Sequence, residues 1–268
     1  GNPTYEIQSN RIGESFVRSW ESSAKIDYDL GWGTLTSITS YTDVDSGNDQ
    51  DLDQTLGEAI DIIVIDESET IAQELRLSSN SDDVLHWVAG VSYFAQDRFR
   101  SLATTNLGFP VPPAAQDLEL EDFAAFGSLS YDINDDLELT LAFRYDEETP
   151  KDTTQDRSAT FTELQPKASL AYRFHESLLG YVTIGKGFRA GGFNNLAPDS
   201  NFAPGFDEES LVSYETGLKG TAFDGRMRAG LSLFRIDYDD QQYFLFDQTG
   251  TQANINVDKS EILGGELE

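Results

Sequence analysis

Hydrophobic and polar residues alternate along the segment Leu137–Tyr145. Every odd-numbered position holds a large apolar residue, and every even-numbered position is polar, charged or small. Because successive side chains of a strand point to opposite faces, the pattern predicts a strand with one apolar face and one polar face. A short polar turn around residue 134 precedes this strand, and a polar loop at 146–159 follows it. The unit is therefore a short turn, a long alternating strand and a long loop.

The same unit recurs along the whole chain. Short turns are predicted near residues 32, 82, 134, 176 and 223, where glycine, asparagine, aspartate or serine interrupt the alternation. The segments between them contain polar loops, predicted at 43–67, 97–118, 146–159, 189–209 and 239–257. No stretch of twelve or more residues shows a helical period, so the chain is predicted to be all-β, with about eleven strand segments. No linker or change of composition divides it, so we expect one domain over residues 1–268.

Alternation alone leaves open which way the apolar faces point. A soluble sandwich turns them inward, whereas a membrane barrel turns them toward lipid. Long strands, short turns on one side with long loops on the other, and aromatic residues near both strand ends favour an antiparallel transmembrane β-barrel. In lipid every backbone N–H and C=O needs a partner, so such a sheet must close into a ring. We therefore expect this chain to be an internal part of a longer barrel.

Composition narrows the function further. The net charge is −30, from 48 acidic and 18 basic residues, which argues against nucleic acid as a partner. The absence of cysteine excludes disulfides, thiolate metal sites and cysteine nucleophiles. The sequence opens without a basic and apolar leader, so no signal peptide is expected in it. It also has no apolar run long enough for a transmembrane helix. Barrel strands can still span a membrane without such a run, because only alternate residues of each strand are apolar.

Motifs for catalysis or for metal and phosphate binding are weak. The acidic run from Asp43 to Asp53 resembles a calcium loop, but its glycine is one place early and Gln54 stands where an EF-hand needs glutamate. The glycines around Lys186 lack the order of a phosphate loop, and no helix is predicted after them. The only histidines, His86 and His175, belong to no recognisable catalytic set. We expect no catalytic residue, no metal site, no cofactor and no enzyme activity.

Several ordered blocks resemble TonB-dependent outer-membrane receptors. The resemblance covers roughly residues 22–268. Within the family, the sequence is most similar to the subgroup common in sphingomonad- and Caulobacter-type bacteria. Its main blocks are Gln73–Ser79, Trp87–Phe94, Leu141–Tyr145, Lys186–Asn194, Ser213–Lys219 and Gly264–Glu268.

The resemblance implies a 22-stranded barrel in the cell outer membrane, with short periplasmic turns, long extracellular loops and an N-terminal plug in the lumen. Such receptors take up scarce nutrients, typically ferric siderophores, cobalamin or saccharides, and a ferric siderophore is the expected ligand here. The implied partners are TonB, through the plug and TonB box, a small-molecule nutrient and outer-membrane lipid. Relative to the family, the sequence lacks the signal sequence, TonB box, plug and final strands. A secreted or periplasmic all-β carbohydrate-binding protein is the alternative.

Two groups of residues are candidates for function in this reading. Charged residues on polar strand faces are predicted to face the lumen, as a ligand path, as a wall for the plug, or as a generic hydrated lining: Glu74, Arg76, Arg144, Lys167, Arg173 and Lys186. Aromatic and amide residues of the long loops are predicted to contact ligand, unless they are ordinary surface: Phe109, Phe188, Phe193, Asn194 and Phe206.

Overall fold

The computed structural model describes residues 9, 12–51, 56, 60–80, 84–106, 109–195, 201–246 and 252–268. No helix in this part of the chain is long and apolar enough to cross a membrane. The strands in it are β1 (Ser15–Asp29), β2 (Gly33–Asp51), β3 (Ile60–Ser79), β4 (Leu85–Asn106), β5 (Phe109–Asn134), β6 (Leu137–Asp152), β7 (Arg157–Ser158), β8 (Phe161–His175), β9 (Leu178–Arg189), β10 (Gly192–Phe193), β11 (Gly205–Phe206), β12 (Glu209–Ala222), β13 (Met227–Phe246) and β14 (Gln252–Leu267).

The eleven long strands among the described residues form one sheet. Its order is β1-β2-β3-β4-β5-β6-β8-β9-β12-β13-β14, so every long strand pairs with the next long strand of the chain. All of these pairs are antiparallel. The short strand β7 adds to β6, while β10 and β11 form a separate two-stranded ladder. The predicted all-β antiparallel architecture is confirmed.

Cross-strand register keeps one face of the sheet apolar over many strands. Leu141 of β6 pairs with Leu129 of β5 on one side and with Ala168 of β8 on the other. Leu129 pairs in turn with Trp87 of β4. The large side chains of this face are exposed, and the only apolar residues buried in the described part are Ala124, Ala190 and Ala253. No second layer covers the described sheet, so the sandwich interpretation is wrong and the apolar face is that of a barrel wall in lipid.

The short turns lie where the sequence predicts them. Gly31 adopts a φ of 83°, which an L side chain rarely adopts, and its N–H donates to Asp29 Oδ1 at 2.7 Å. Asn134 Oδ1 accepts from the N–H of Asp136 at 3.0 Å in the turn between β5 and β6. Gly225, with a φ of 80°, lies in the turn between β12 and β13. The centre of the turn predicted near residue 82 lies outside the described residues.

The predicted long loops are wrong in extent, because most of their residues belong to strands. β2 continues to Asp51 and β3 begins at Ile60, inside the loop predicted at 43–67. Similarly, β4 and β5 cover most of 97–118. Within this range the ladder from β5 to β4 is interrupted only at residues 112–113, both proline, where the register shifts. Backbone N–H and C=O groups pair whatever the side chains are. In water both faces of a sheet can be polar, so alternation is not required there.

In five cross-strand pairs of the main sheet, the ring of an aromatic residue covers the glycine directly opposite it. In each pair the ring occupies the space that a Cβ on the glycine would need. Such cross-strand contacts protect the glycine backbone and fix the register. The pairs are Phe16–Gly47, Gly90–Phe126, Gly127–Phe143, Tyr181–Gly217 and Phe234–Gly264.

Replacing Gly90 with alanine should destabilise the wall. A Cβ at Gly90 would lie 2.5 Å from Phe126 Cζ and 2.8 Å from the backbone oxygen of Leu75. Since one of these neighbours is backbone, we expect a loss of about 1–2 kcal/mol in the free energy of unfolding, as in other overpacked sites. Gly185→Ala is the control, because its Cβ would lie 3.5 Å from Lys167 Cγ, an ordinary contact. Urea unfolding of the full-length protein in lipid vesicles measures both, and equal effects would contradict the packing argument.

Candidate functional site

The polar face carries a continuous row of residues across five strands. Arg76 of β3 pairs with Gly90 of β4, Gly90 pairs with Phe126 of β5, and Phe126 pairs with Arg144 of β6. Arg144 pairs in turn with Gln165 of β8. Residues that pair directly share a face, so the register places Arg76 and Arg144 on one surface of the wall.

Guanidinium groups on this surface are neutralised by neighbouring carboxylates. Arg76 Nη1 lies 3.4 Å from Glu74 Oε1, and Arg144 Nη2 lies 2.6 Å from Asp146 Oδ1. Arg144 Nη2 also lies 3.6 Å from Asp122 Oδ2. Partly exposed pairs of this kind contribute about 0–1 kcal/mol each to stability. Their main effect is to leave little free positive charge on this part of the wall.

Two further predicted residues, Lys167 and Arg173 of β8, have the same parity as Gln165 and share the polar face. Strand parity alone would point Lys186 of β9 away from this face, but its side chain lines the same groove as Lys167 and reaches a carboxylate of the polar face. Gly185 is the residue paired with Lys167, so its neighbour Lys186 has the opposite parity. The ladder between β8 and β9 ends at that pair, and the Lys186 ammonium lies 2.7 Å from Glu163 Oε2.

The segment between β9 and β12 folds back onto the polar face, at the end of the wall opposite the short turns. We call its described residues, 190–195 and 201–208, the crossing segment. Gln242 Nε2 of β13 donates to the backbone oxygens of Ala190, at 2.9 Å, and of Asp207, at 3.0 Å. Asn256 Oδ1 of β14 accepts a hydrogen bond from the N–H of Asp207 at 2.8 Å, and Asn256 Nδ2 donates to the backbone oxygen of Asp207 at 2.9 Å. Gly191 packs closely on the ring of Phe161, since a Cβ added at Gly191 would lie 2.6 Å from Phe161 Cζ.

Asn194 ties the crossing segment to β14 with its side chain. Its Oδ1 accepts from the N–H of Asn254 at 2.9 Å, and its Nδ2 donates to the backbone oxygen of Asn254 at the same distance. Nδ2 also donates to the backbone oxygen of Ala203 at 3.1 Å. Asn194 is 5% exposed, so its amide is fully used inside the protein. This geometry makes it a clamp for the segment.

Arg157 and Asp152 hold the segment from the other side. Arg157 Nη1 donates to the backbone oxygen of Pro204 at 2.7 Å, and Nη2 donates to that of Asn194 at 3.2 Å. Nη2 also lies 2.5 Å from Asp152 Oδ2, and the guanidinium carbon lies 5.0 Å from the centre of the Phe193 ring. Asp152 is 0% exposed. Arg157, held by this ion pair, therefore connects the β6–β8 hairpin to both described parts of the crossing segment.

Three donors stabilise the charged form of Asp152. Burial acts to raise the pKa of this carboxyl, but hydrogen bonds from Arg157, Gln116 and the N–H of Gln155 outweigh it and hold the pKa below its ordinary value of 3.8. Asp152 lies beyond Tyr145, outside the segment Leu137–Tyr145 that is expected to span the membrane.

Acid should loosen the crossing segment. Because the pKa of Asp152 is lower in the folded protein than in the unfolded chain, its stabilising contribution is complete above pH 3.8 and is lost as pH falls through the folded-state pKa. We expect hydrogen exchange at the N–H groups of Asn194 and Asp207, corrected for the intrinsic effect of pH, to quicken below pH 3.8. In Asp152→Asn this step should vanish. A step of equal size in that variant would assign it to other carboxylates.

Three of the five predicted loop residues meet in the crossing segment. Phe193 lies under the Arg157 guanidinium, Asn194 forms the clamp, and Phe206 packs against Gly192 in the β10–β11 ladder. Phe188 does not join them. It pairs with Ser210 near the end of β9, with the parity of the apolar face. Phe109 begins β5, and its side chain lies outside the described part of the structure.

Sequence reasoning missed Arg157, Asp152 and Gln242, the residues that hold the segment. Only the Gly191-Gly192 pair gave a signal, since paired glycines mark a close approach of backbones. Arg157 and Asp152 stand in an ordinary polar stretch, and nothing local reveals that the backbone oxygens bound by Arg157 lie some forty residues further along the chain.

The whole chain matches a known protein family. The family model described as "TonB dependent receptor-like, beta-barrel" matches residues 2–268. Similar solved structures include the ferric yersiniabactin uptake receptor FyuA from Yersinia pestis, with 16% identity and a TM-score of 0.75 over 96% of this chain and 40% of that chain. The copper transporter OprC gives 14% identity and a TM-score of 0.74 over 96% and 44%. The ferric-catecholate import receptor Fiu from Escherichia coli K12 gives 14% and 0.72 over 94% and 44%.

These structures share the fold, and this chain spans about two fifths of the length of each. The family consists of outer-membrane transport receptors and not of enzymes, which places the wall in the outer membrane with its apolar face toward lipid and its polar face toward the lumen. The chain belongs to the family of TonB-dependent receptor-like β-barrels.

Proposed function

We propose that this chain is the barrel segment of a TonB-dependent receptor that takes up a scarce nutrient, with a ferric siderophore as the first candidate. The observation that carries the proposal is the family match over residues 2–268 on a wall that is apolar on one face and polar on the other. Two of the similar structures are receptors whose names specify ferric ligands, and a third is a copper transporter. They support metal-complex uptake without selecting a ligand.

The finer parts of the proposal concern the rest of the receptor. Residues 1–268 form part of one barrel domain, the short turns face the periplasm, and TonB acts through a plug. Glu74, Arg76, Arg144, Lys167, Arg173 and Lys186 line the lumen. Phe193, Asn194 and Phe206 shape the extracellular mouth through the crossing segment. The resemblance of the motif blocks supports membership of the sphingomonad and Caulobacter-type subgroup.

A growth experiment tests the uptake function. The full-length receptor is expressed in an iron-limited Gram-negative strain that lacks its own siderophore receptors, and single ferric siderophores are supplied one at a time. We expect at least one of them to restore growth, and a strain deleted for TonB to show no rescue. If no siderophore restored growth, but the receptor rescued growth under copper or saccharide limitation, the ligand class would be copper or saccharide instead of ferric siderophore. Rescue that persists without TonB would overturn the energy-coupled mechanism.

A further inference from the structure

Within the described structure, four cations that form no salt bridge lie on the polar face of β8, β12 and β13, between the middle of the strands and their short turns. Arg173 of β8 pairs with Leu179 of β9, which pairs with Lys219 of β12, so the two cations lie two strands apart in one row, at about 10 Å. Lys167 lies six residues above Arg173 on the same strand, and Arg228 lies beyond Lys219 toward the turn, opposite Thr221. We call these four residues the cationic stripe.

The cationic stripe differs from the rest of the lumen wall in its pairing. Arg76, Arg98, Arg144 and Arg157 each have a carboxylate oxygen within 4.0 Å. Among the described residues, no carboxylate lies within that distance of any member of the stripe. This contrast occurs in a chain with 48 acidic and only 18 basic residues, so lack of available carboxylates does not explain it.

Other groups position the stripe without neutralising it. The Lys219 ammonium lies 5.3 Å from the centre of the Tyr181 ring, a cation–π contact that keeps the positive charge. Glu215 lies two residues from Gly217, the partner of Tyr181 on β12, and its Oε1 accepts a hydrogen bond from the Tyr181 hydroxyl at 2.5 Å. Arg173 Nη1 donates to the backbone oxygen of Asp135 at 3.2 Å, again with no loss of charge.

Open space lies along the stripe. Two adjoining grooves on the polar face, of about 540 and 440 Å³, share Leu179 and Lys219. Lys167, Lys186 and Glu215 line the first groove, whereas Arg173, Arg228, Glu176 and Glu268 line the second. With the shared Lys219, the two grooves carry more cations than carboxylates. The stripe therefore runs from the middle of the wall to its short-turn end, which is the direction in which a nutrient would travel.

Unpaired cations in a groove with low-dielectric walls raise the local concentration of anions, and the effect extends over a Debye length of about 8 Å at physiological salt. We propose that the cationic stripe is an anion-binding path on the lumen wall, and that the transported nutrient carries carboxylate, phosphate or comparable anionic groups. This inference rests on the proposed receptor function. The alternative occupant is an acidic surface of the domain that fills the lumen.

Cysteine labelling of the full-length receptor in outer-membrane vesicles measures the potential at the stripe. Ser213→Cys places a thiol in the first groove, where Ser213 pairs with Gly185 on the polar face. Ser92→Cys is the matched control, since Ser92 lies on the same face of β4 and pairs with Glu74. Both are made in a cysteine-free background, which this part of the chain already provides. The rates of an anionic and a cationic methanethiosulfonate reagent are compared at each site.

We expect the anionic-to-cationic rate ratio to be about 3- to 10-fold higher for Ser213→Cys than for Ser92→Cys, and to fall toward the control when Lys167→Gln and Lys219→Gln are added. Millimolar pyrophosphate should slow anionic labelling at the first site only. Equal ratios, or ratios insensitive to the lysine changes, would overturn the proposal. If the anionic reagent reacted no faster at the first site than at the control, and pyrophosphate did not slow it, the stripe would instead be a contact for an acidic surface of the domain that fills the lumen. None of these outcomes depends on the growth experiment, so the two proposals fail separately.

Discussion

Replacing Leu141 with arginine is expected to lower the free energy of unfolding by about 2–4 kcal/mol in lipid vesicles, the cost of an arginine on the lipid face near the bilayer midplane. Leu141 is the central residue of Leu137–Tyr145, and its side chain is 48% exposed on the apolar face. Its cross-strand neighbours Leu129 and Ala168 offer no carboxylate to an introduced guanidinium. The arginine must therefore reach toward the interface or stay unpaired in hydrocarbon.

The adjacent residue provides the control. Thr140 lies on the polar face, where its hydroxyl is 2.8 Å from Ser130 Oγ and donates to Glu138 at 3.1 Å. Thr140→Arg replaces these bonds with a charge beside a carboxylate in a hydrated space, and we expect a change of about 1 kcal/mol or less. Denaturant unfolding of both full-length variants gives the comparison. If Thr140→Arg were the more damaging of the two, the faces of the wall would be assigned the wrong way round.

The parts of the fold that follow a local rule were predictable. Alternation in Leu137–Tyr145 predicts the strand and its two faces, because side chains change face at every residue. Gly31 and Gly225 predict turns because glycine tolerates positive φ without steric cost, and both residues adopt it. The antiparallel order follows from short connections between successive strands. Each of these rules needs only a few neighbouring residues.

The strand extensions were not predictable from alternation. Asp43 and Asp45 of β2 pair with Glu69 and Glu67 of β3, so carboxylates lie opposite carboxylates where the sequence suggests a loop. Side-chain repulsion of this kind is weak in water and is screened by salt, whereas the backbone ladder continues. A polar stretch with no hydrophobic period is therefore compatible with either a loop or a solvated strand. Only the partner strand decides between them.

The candidate site was half predictable for a similar reason. Residue type identifies Asn194 and Phe193 as candidates for ligand contact, but not what they do in the folded protein. Asn194 was expected to contact ligand, and the structure uses its amide to bind Asn254 and Ala203. Its partners lie on other strands, and no pattern in the sequence links them. Function at the mouth thus depends on residues that the crossing segment presents once it is held in place.

The strength of that hold can be measured by removing Asp152. Asp152→Ala leaves the Arg157 guanidinium in a partly buried position without its carboxylate, and it also frees Gln116 and the N–H of Gln155. Breaking a buried ion pair from one side typically costs 3–5 kcal/mol, and the partial exposure of Arg157 reduces this to about 3 kcal/mol. The loss should be local, because the wall itself is held by its ladders. We therefore expect hydrogen exchange of the crossing segment to rise more than that of β5 and β6.

Asp239→Ala is the matched control for this prediction. Asp239 lies 3.4 Å from Lys259, but the two side chains are 63% and 76% exposed, so the pair contributes about 0–1 kcal/mol. Hydrogen exchange in Asp239→Ala should match the wild type in the crossing segment, while Asp152→Ala should not. Adding Arg157→Leu to Asp152→Ala removes the orphaned charge and should recover part of the lost protection, because the uncompensated guanidinium is the main cost. If the double change lost more protection than Asp152→Ala alone, the bonds from Arg157 to Pro204 and Asn194 would be the dominant restraint, and the ion pair would be secondary.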